Sequence, residues 1–189
     1  TVKRKVKVSI FFTGDELALP GEVLKPGTIY NSNRDTLIAC LNSLGCEVTD
    51  FGIVPDSLEQ TRQTLRKAAK DSDLIITSGG VSVGEEDHVK PAVEAEGRLD
   101  MWQIAIKPGK PLAFGAVKKE NNKESWFIGL PGNPVSSFVT FLLCVQPFIC
   151  ALQGRKNKPQ QSYLMRADFD WKKSDKRNEF LRVKVTTRQ

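Results

Sequence analysis

Apolar and polar positions alternate in two different ways along residues 6–152. Runs of β-branched and aromatic residues predict strands, whereas apolar residues at helical spacing predict helices. The predicted strands cover 6–12, 47–54, 71–77, 101–106, 112–117 and 125–130, and the predicted helices cover 31–44, 58–70, 89–96 and 135–152. Because short connections join strands and helices in turn, we predict an α/β fold with right-handed crossovers and a mostly parallel sheet covered on both faces.

The pattern changes beyond Gly154. A polar linker over 155–161 contains a proline, and alternating segments at 163–171 and 180–187 predict two further strands. Two strands are only marginally stable by themselves. We therefore predict an α/β domain over 1–153 and, over 154–189, the start of a β-rich domain that the chain leaves incomplete.

Several classes of protein are disfavoured by the composition. The most apolar stretch, 138–152, is interrupted by Gln146 and Pro147 and is shorter than a membrane-spanning helix, so we expect no membrane partner. The first residues lack a signal-peptide pattern, which favours a cytoplasmic location. The cysteines show no metal-ligand spacing and are expected to be buried reduced thiols; they are Cys40, Cys46, Cys144 and Cys150.

The net positive charge of the protein comes from the end of the chain. Residues 1–153 contain 17 Lys or Arg against 18 Asp or Glu, whereas residues 154–189 contain 11 against 4. The aromatic residues of this basic segment have the spacing of a strand and not of a base-stacking platform. We expect no nucleic-acid partner, and a solvated β-surface or a small-anion site instead.

The loop that follows the third predicted strand has the composition of an anion site. Ser78, Gly79 and Gly80 offer hydroxyl and backbone donors to a phosphate at the carboxyl edge of a parallel sheet. The next residues are acidic, with Glu85, Glu86 and Asp87 in a row. Carboxylates repel phosphate unless a metal ion or a reaction requires them, so this loop indicates chemistry.

Other predicted strand ends carry similar residues. Thr13-Gly14-Asp15-Glu16 and Asp56 follow the first two strands, and Lys107-Pro108-Gly109-Lys110-Pro111 brings two cations into one stiff loop. Pro131-Gly132-Asn133-Pro134 leads into a helix whose first turn contains Ser136.

Each of these features also has a purely structural interpretation. Asp56, Asn31 and Asn33 are good helix caps, and lysines are common in surface turns. His88, a single histidine beside Asp87, is more typical of a packing or surface residue than of a catalytic one.

Taken in order, these motifs define a family resemblance. They are Thr13-Gly14-Asp15-Glu16-Leu17, the loop 78–84 with Asp87, Lys107-Pro108-Gly109-Lys110-Pro111, and Leu130-Pro131-Gly132-Asn133-Pro134-Val135-Ser136. Together they resemble the MoeA family of molybdopterin molybdotransferases over nearly the whole chain, and they are similar to the E domain of gephyrin. The resemblance implies a three-layer α/β/α domain of the MoaB and MogA type, followed by the start of a C-terminal β-domain. It also implies a reaction in which molybdate enters adenylylated molybdopterin, with magnesium, and AMP is released.

The resemblance assigns roles to individual residues. Glu16, Asp56 and Asp87 match functional acids of the family, and Asp56 and Asp87 are expected to hold Mg²⁺. Lys107, Lys110, Ser136 and Arg177 match residues that contact molybdate. The residues expected to bind the pterin or its phosphate are Thr13, Asn33, Ser78, Gly79, Gly80, Ser82, Gly84, Pro131, Gly132, Asn133 and Pro134.

Two departures from the family pattern qualify this expectation. Gln103 stands where many relatives have Lys or Arg, which removes one positive contact. The family's enzymes also have further N-terminal domains, one of which completes the site across a homodimer, and a longer β-domain. We therefore expect this chain alone to fold but to catalyse poorly, and the whole protein to dimerise and to contact the adenylyltransferase that makes its substrate.

Two alternatives remain open at this point. A MogA-like adenylyltransferase shares the fold and the Ser-Gly-Gly loop but attaches AMP, and a gephyrin-like scaffold would use the sheet domain for partner binding alone. The lysine loop and the segment beyond Gly154 favour the MoeA interpretation over the first. The gathering of acids, lysines and glycine loops at one edge disfavours the second.

Overall fold

A six-stranded sheet forms the centre of the computed structural model, which describes residues 3–81, 88–120, 122–155, 161–171 and 175–186. Its strands are β1 (Lys7–Thr13), β4 (Glu47–Val54), β5 (Leu74–Ser78), β6 (Gly97–Gln103), β8 (Pro111–Lys118) and β9 (Glu124–Leu130). They lie in the order β4-β1-β5-β9-β8-β6. β4, β1, β5 and β9 are parallel, and β8 is antiparallel to both of its neighbours.

Helices cover both faces of this sheet. They are α1 (Ser32–Ser43), α2 (Leu58–Asp71), α3 (Val89–Glu96), α4 (Pro134–Thr140) and α5 (Gln146–Leu152). One core cluster joins the sheet to α1, to residues 141–145 and to α5, and includes Leu37, Phe141 and Ile149. The other joins it to α2 and α3 and includes Leu65 and Val93. The predicted three-layer α/β/α sandwich with a mostly parallel sheet is confirmed.

Four two-residue strands lie outside the main sheet and form two pairs. β2 (Leu17–Ala18) pairs with β3 (Ile29–Tyr30) and closes the loop that follows β1. β7 (Ile106–Lys107) pairs with β10 (Asn178–Glu179). The strand predicted at 101–106 is therefore wrong in its bounds, because β6 begins directly after α3 and ends before the lysine loop.

The helix predicted at 135–152 is continuous but contains one irregular turn. A π-helical turn, Phe141–Val145, joins α4 to α5. Pro147 lies in the first turn of α5 and has no N–H to donate to the preceding turn. A wider turn just before a proline absorbs the lost hydrogen bond, and we attribute the π turn to it.

The expectation that this stretch is too short to span a membrane is wrong. The helix Pro134–Leu152 has 19 residues and a mean hydropathy of 2.0, which suffice by length and composition. Phe141, Val145 and Ile149 are fully buried against the sheet, which accounts for the apolar stripe on one side of the helix. A single helix of this kind, packed into a core, is weak support for a membrane span, and we assign it to the core.

The cysteines are free thiols, as predicted. Cys46 is buried and the other three are half-buried, so the expectation of full burial is correct for one of them. Burial raises the pKa of Cys40, Cys46 and Cys144. Withdrawal from water disfavours the thiolate, which keeps these thiols unreactive.

The two strands predicted beyond residue 162 are not found in the described part of that segment. Residues 161–171 form no strand, and within 175–186 only Asn178–Glu179 pairs. The apolar residues of this segment are not buried, and Tyr163, Met165 and Val183 are each more than 60% exposed. A strand forms only where another backbone supplies its hydrogen bonds, so alternation alone was insufficient. The boundary at residue 153 stays a prediction.

Asp73 connects the beginnings of two neighbouring strands. Its carboxylate accepts hydrogen bonds from Lys7 N at 2.9 Å and from the Arg4 guanidinium at 2.6 and 2.7 Å. The Arg4 guanidinium is the main reason that the pKa of Asp73 lies below its ordinary value, and the Lys7 N–H adds to the effect. Because the Arg4 side chain is 66% exposed, we assign most of the stabilisation to the Lys7 hydrogen bond.

We expect Asp73→Asn to lower the free energy of unfolding at pH 7 by about 1 kcal/mol, because a neutral amide oxygen is a weaker acceptor for the Lys7 N–H than a carboxylate and forms no ion pair with Arg4. A carboxylate with a depressed pKa stabilises the fold above its unfolded pKa, and the contribution is lost as pH falls through the folded pKa. The deficit of the variant should therefore shrink in acid when urea unfolding is followed between pH 7 and pH ~3. Asp71→Asn, an exposed change nearby, is the control, and a deficit independent of pH would contradict the assignment.

Candidate functional site

One edge of the sheet collects the loops that the sequence singles out. The carboxyl ends of β1, β4, β5 and β9 lie at this edge because these strands are parallel. The loop from β6 to β8 joins them, because β8 is antiparallel to β9 and therefore begins where β9 ends. The loops that begin after Thr13, Val54, Ser78, Gln103 and Leu130 consequently surround a single surface.

The Gly79-Gly80 pair lies directly against the end of β1. Both glycines have positive φ, of 97° and 61°. A Cβ on Gly79 would overlap the Thr13 carbonyl oxygen, and one on Gly80 would lie 2.5 Å from Thr13 Oγ1 and 2.7 Å from Val89 Cγ2. Only glycine fits at these two positions. The Thr13 hydroxyl is buried and has no hydrogen-bond partner among the described residues.

Asn33 ties two of the loops together. Its Nδ2 donates to Ser78 Oγ at 2.9 Å and to the Gly132 carbonyl at 2.7 Å, and Ser78 Oγ donates to the Pro131 carbonyl at 3.0 Å. Asn31 is the residue that caps α1, through Oδ1 and the Arg34 N–H. Asn31 is therefore the cap of α1, and Asn33 instead links the β5 and β9 loops. A ligand contact by either residue stays a prediction.

The loop that follows β9 ends at the beginning of α4. Asn133 caps this helix by accepting from Ser136 N at 3.1 Å, and Pro134 occupies its first turn. The Ser136 hydroxyl donates to Asn133 Oδ1 at 3.3 Å and is 8% exposed. Pro131 is buried, whereas Gly132, Asn133 and Pro134 are exposed along the edge.

Two carboxylates hold the β1 and β4 loops together. Asp15 N donates to Asp56 Oδ2 at 3.3 Å, and Asp56 N donates to Asp15 Oδ1 at 3.1 Å. Burial raises the pKa of Asp56, and the charges of Asp15 and Glu16 raise it further, against the opposing effects of the Asp15 N–H and of His88. Ser57, and not Asp56, is the N-cap residue of α2. Capping therefore does not explain Asp56.

The predicted metal site is only partly in view. Asp87, Ser82 and Gly84 lie outside the described residues. Among the described residues no cluster of three His, Cys, Asp or Glu side chains could hold a metal ion. The carboxylates of Asp56, Asp15 and the exposed Glu16 are nevertheless oxygen donors of the kind that Mg²⁺ takes, and a divalent cation would relieve the repulsion that contributes to the raised pKa of Asp56.

The predicted molybdate residues form a second group on the same edge. Gly109, in the lysine loop, packs against Thr140 of α4, where a Cβ would lie 2.6 Å from Thr140 Cγ2. The lysine loop therefore rests on the helix that carries Ser136. On its other side β10 pairs with β7, through Phe180 N to Lys107 O at 2.7 Å, and this brings Arg177 close to the loop.

Carboxylates neutralise two of these cations. Lys107 Nζ lies 2.7 Å from Glu179 Oε1 and 3.6 Å from Asp175 Oδ2. Arg177 binds Asp175 in a two-pronged pair, with Nε at 2.9 Å and Nη2 at 2.6 Å. Arg177 is the main reason that the pKa of Asp175 is strongly lowered, and Glu179 is the main reason that the pKa of Lys107 is raised. Lys110 is exposed and makes no ion pair with the described residues.

Sequence reasoning missed three residues of this surface. The motif that contains Asp15 gives this residue no role by itself, although its position directly after Gly14 is an available indication. The sequence assigns no role to Asp175 or Glu179, because nothing local shows that the basic segment returns to the lysine loop. One cavity is lined by residues of 165–171 and 181–186, such as Phe169 and Trp171, and none of the candidate site residues lines it.

Comparisons with known proteins identify the family of the chain. The family described as "Probable molybdopterin binding domain" matches residues 9–151. The chain belongs to this family of molybdopterin-binding domains. The narrower resemblance to MoeA is also confirmed: the chain is 47% identical over 180 residues to the molybdopterin molybdenumtransferase of Haemophilus influenzae, and 38% identical over 189 residues to the molybdenum cofactor synthesis protein cinnamon of Drosophila melanogaster.

These relatives are much longer than the region they share with the chain. The alignments cover 95% and 97% of this chain but only 43% and 30% of the two relatives. The MoeA molybdopterin biosynthesis protein of Pyrococcus horikoshii superimposes with a TM-score of 0.71 at 36% identity, over 82% of this chain and 37% of its own. The MoaB protein of Pyrococcus furiosus superimposes with a TM-score of 0.60 over 82% of this chain and all of its own, and at 13% identity it shows the fold alone.

Proposed function

We propose that the chain is part of a molybdopterin molybdotransferase, which inserts molybdate into adenylylated molybdopterin and releases AMP in molybdenum cofactor biosynthesis. One observation carries the proposal. The cradle is formed by Thr13, Gly79 and Gly80, and the cationic group is formed by Lys107, Lys110 and Arg177. Both lie on the same sheet edge and are joined by the segment from Pro131 to Thr140. A phosphate-bearing substrate and an oxyanion can therefore meet on one surface. The names of the relatives support the same assignment.

The cradle is the place for the phosphate of the pterin. Gly79 and Gly80 pack directly against the end of β1, where the partnerless hydroxyl of Thr13 lies, and the Gly79 N–H already donates to the Leu130 carbonyl at 3.2 Å. A phosphate at this point would therefore be met by the Thr13 hydroxyl and the Gly80 backbone. Asn33 and Ser78 use their side chains on the loops, so their role is to hold the cradle open and not to touch the ligand directly. Ser82 and Gly84 belong to this proposal on their sequence alone.

Magnesium would bind at the acidic group, which is formed by Asp15, Glu16 and Asp56. Asp56 would hold the ion with Asp15 or Glu16, and Asp87 joins them by its match to the family. Bound Mg²⁺ would offset the negative charge of a pyrophosphate and polarise its P–O bonds. The raised pKa of Asp56 follows from burial and neighbouring acids, as is common where a carboxyl group serves in a reaction.

The cationic group is the place for molybdate. Lys107, Lys110 and Arg177 supply positive charge, and Ser136 supplies a hydroxyl on the helix that supports the lysine loop. A tetrahedral dianion accepts several charge-assisted hydrogen bonds at once, which suits a guanidinium with two ammonium groups. Gln103 is exposed at the end of β6, beside this group, and adds no charge to it.

The test is AMP release from adenylylated molybdopterin in the presence of molybdate and Mg²⁺. The assay uses the longest natural form of the protein, since the matched region is less than half of the curated relatives. We expect Asp56→Ala to reduce the rate by about 100-fold or more. Glu120→Ala, an exposed change in the hairpin between β8 and β9, should leave the rate unchanged. The isolated chain, measured beside it, should release little AMP.

Two other results would replace the proposal. Formation of adenylylated molybdopterin from ATP, with no AMP release from it, would identify a MogA-like adenylyltransferase. Absence of either reaction, with partner binding that survives Asp56→Ala, would identify a gephyrin-like scaffold. A homodimeric assembly, a contact with the adenylyltransferase and a cytoplasmic location are further parts of the proposal, which rest on the family resemblance.

A further inference from the structure

The cationic group is electrically balanced by carboxylates from the segment beyond Gly154. Lys107 and Arg177 contribute two positive charges, and Asp175 and Glu179 contribute two negative ones, all joined by contacts between 2.6 and 3.6 Å. An incoming oxyanion would therefore meet Lys110 as the uncompensated cation of this group, as far as the described residues extend. A site that binds a dianion gains from cations that are not already paired.

Asp175 resembles a small bound oxyanion in its contacts. Both of its oxygens accept from Arg177, at 2.9 and 2.6 Å, and the second oxygen also faces Lys107 Nζ at 3.6 Å. It thus occupies the two cations that a tetrahedral oxyanion would use. We propose that Asp175 is a built-in competitor for the oxyanion site, so that a ligand binds by displacing its carboxylate from Arg177 and Lys107.

Glu179 does not serve the same purpose. Its second oxygen accepts from Trp171 Nε1 at 2.7 Å, its side chain is only 13% exposed, and its backbone belongs to the strand paired with Lys107. These contacts hold Glu179 in place when the site changes. The Asp175 side chain, in contrast, binds the Arg177 guanidinium and Lys107, the groups it would release. Its Oδ1 also accepts from the Arg177 N–H at 3.0 Å, a local contact within the same short turn.

The competition sets which anions the site can take. A ligand that displaces Asp175 must offset the contacts that this carboxylate loses to Arg177 and Lys107, so a doubly charged oxyanion is favoured over a singly charged one. Chloride or nitrate should fail where molybdate, tungstate or sulfate succeed. This inference deepens the proposed function and rests on it where molybdate is named, although the contacts themselves apply to any tetrahedral oxyanion.

The test compares oxyanion binding by this chain and by Asp175→Asn. The amide keeps the shape of the side chain and removes its charge. Isothermal titration with molybdate, and separately with sulfate, at low ionic strength should show affinity about three- to ten-fold higher for the variant. Asp170→Asn removes the same charge from an exposed position of the same segment and should change affinity less than two-fold.

A second variant tests whether a local loss of structure, and not the lost charge, explains the result. Glu179→Gln releases Lys107 and leaves the Asp175–Arg177 pair intact, so it should give a smaller gain, and Trp171 fluorescence reports whether the segment keeps its position. Equal or weaker binding by Asp175→Asn, with that fluorescence unchanged, would overturn the competition. If Asp175→Asn gains affinity for sulfate but neither protein binds molybdate, the competition stands and the molybdate part of the proposed function fails. If no oxyanion binds Asp175→Asn or Glu179→Gln, both fail at this group.

Discussion

Gly79→Ala should lower the free energy of unfolding by about 2–4 kcal/mol and abolish phosphate binding at the cradle. The new methyl group would overlap the Thr13 carbonyl oxygen, which is fixed by the sheet, at a φ of 97° that alanine rarely adopts. Backbone cannot rotate away as a flexible side chain can, so the β5 loop must shift. Urea unfolding measures the first effect, and titration with inorganic phosphate measures the second.

Gly27→Ala is the matched control for this prediction. Gly27 also has a positive φ, of 84°, but nothing lies within 4 Å of the Cβ that a side chain would add. Its loss should be limited to backbone strain, about 1 kcal/mol, with phosphate binding unchanged. The difference between the two variants isolates the clash. Equal losses in both would show that the contact with Thr13 has no special importance.

Asn33→Ala is expected to cost about 2–3 kcal/mol of stability and to weaken phosphate binding at the cradle. The change removes the donor shared by Ser78 Oγ and the Gly132 carbonyl, at 2.9 and 2.7 Å, on two separate loops. The β5 and β9 loops would then lose their side-chain connection through α1. Urea unfolding and phosphate titration again supply the measurements.

The same helix supplies a control, since Asn42 is exposed on α1. Asn42→Ala should change stability by less than about 0.5 kcal/mol. Asn33→Asp adds a further test, because a carboxylate would face the Gly132 carbonyl and its pKa would be raised by burial. A raised pKa favours the protonated form in the folded state, so this variant should lose stability as pH rises from ~4 to ~7. Similar losses for Asn33→Ala and Asn42→Ala would remove Asn33 from the site.

The sequence was sufficient for the main sheet and for the loops at its edge. The hydrophobic periods of strands and helices differ clearly in the first 152 residues. Parallel strands place their carboxyl ends at one edge of the sheet, whatever the order of the strands. Thr13, Ser78 and Gly79 could therefore be gathered from separate motifs. The choice between cap and site for Asn31 and Asn33 could not be made, because both residues suit a helix start and only the surrounding loops distinguish them.

The second half of the site was beyond prediction for a different reason. Lys107 and Arg177 were identified through the resemblance, but their pairing with Asp175 and Glu179 depends on where the last segment crosses the molecule. That crossing is fixed by two backbone hydrogen bonds, Asn178 N to Ala105 O and Phe180 N to Lys107 O. Neither leaves a pattern in the sequence, and the alternation around it indicated longer strands than the structure contains.

The cationic group is held less firmly than the cradle, because it depends on the short pairing of β7 with β10. The cradle adjoins β1, β5 and β9, whose residues are almost all buried, so we expect it to open less readily than the cationic half. The cationic half depends on two backbone hydrogen bonds and on ion pairs whose side chains are up to 49% exposed, contacts that warming or salt can break singly. A pterin could thus remain held while the anion-binding half detaches and returns, so that capture and release of the oxyanion need not disturb the phosphate.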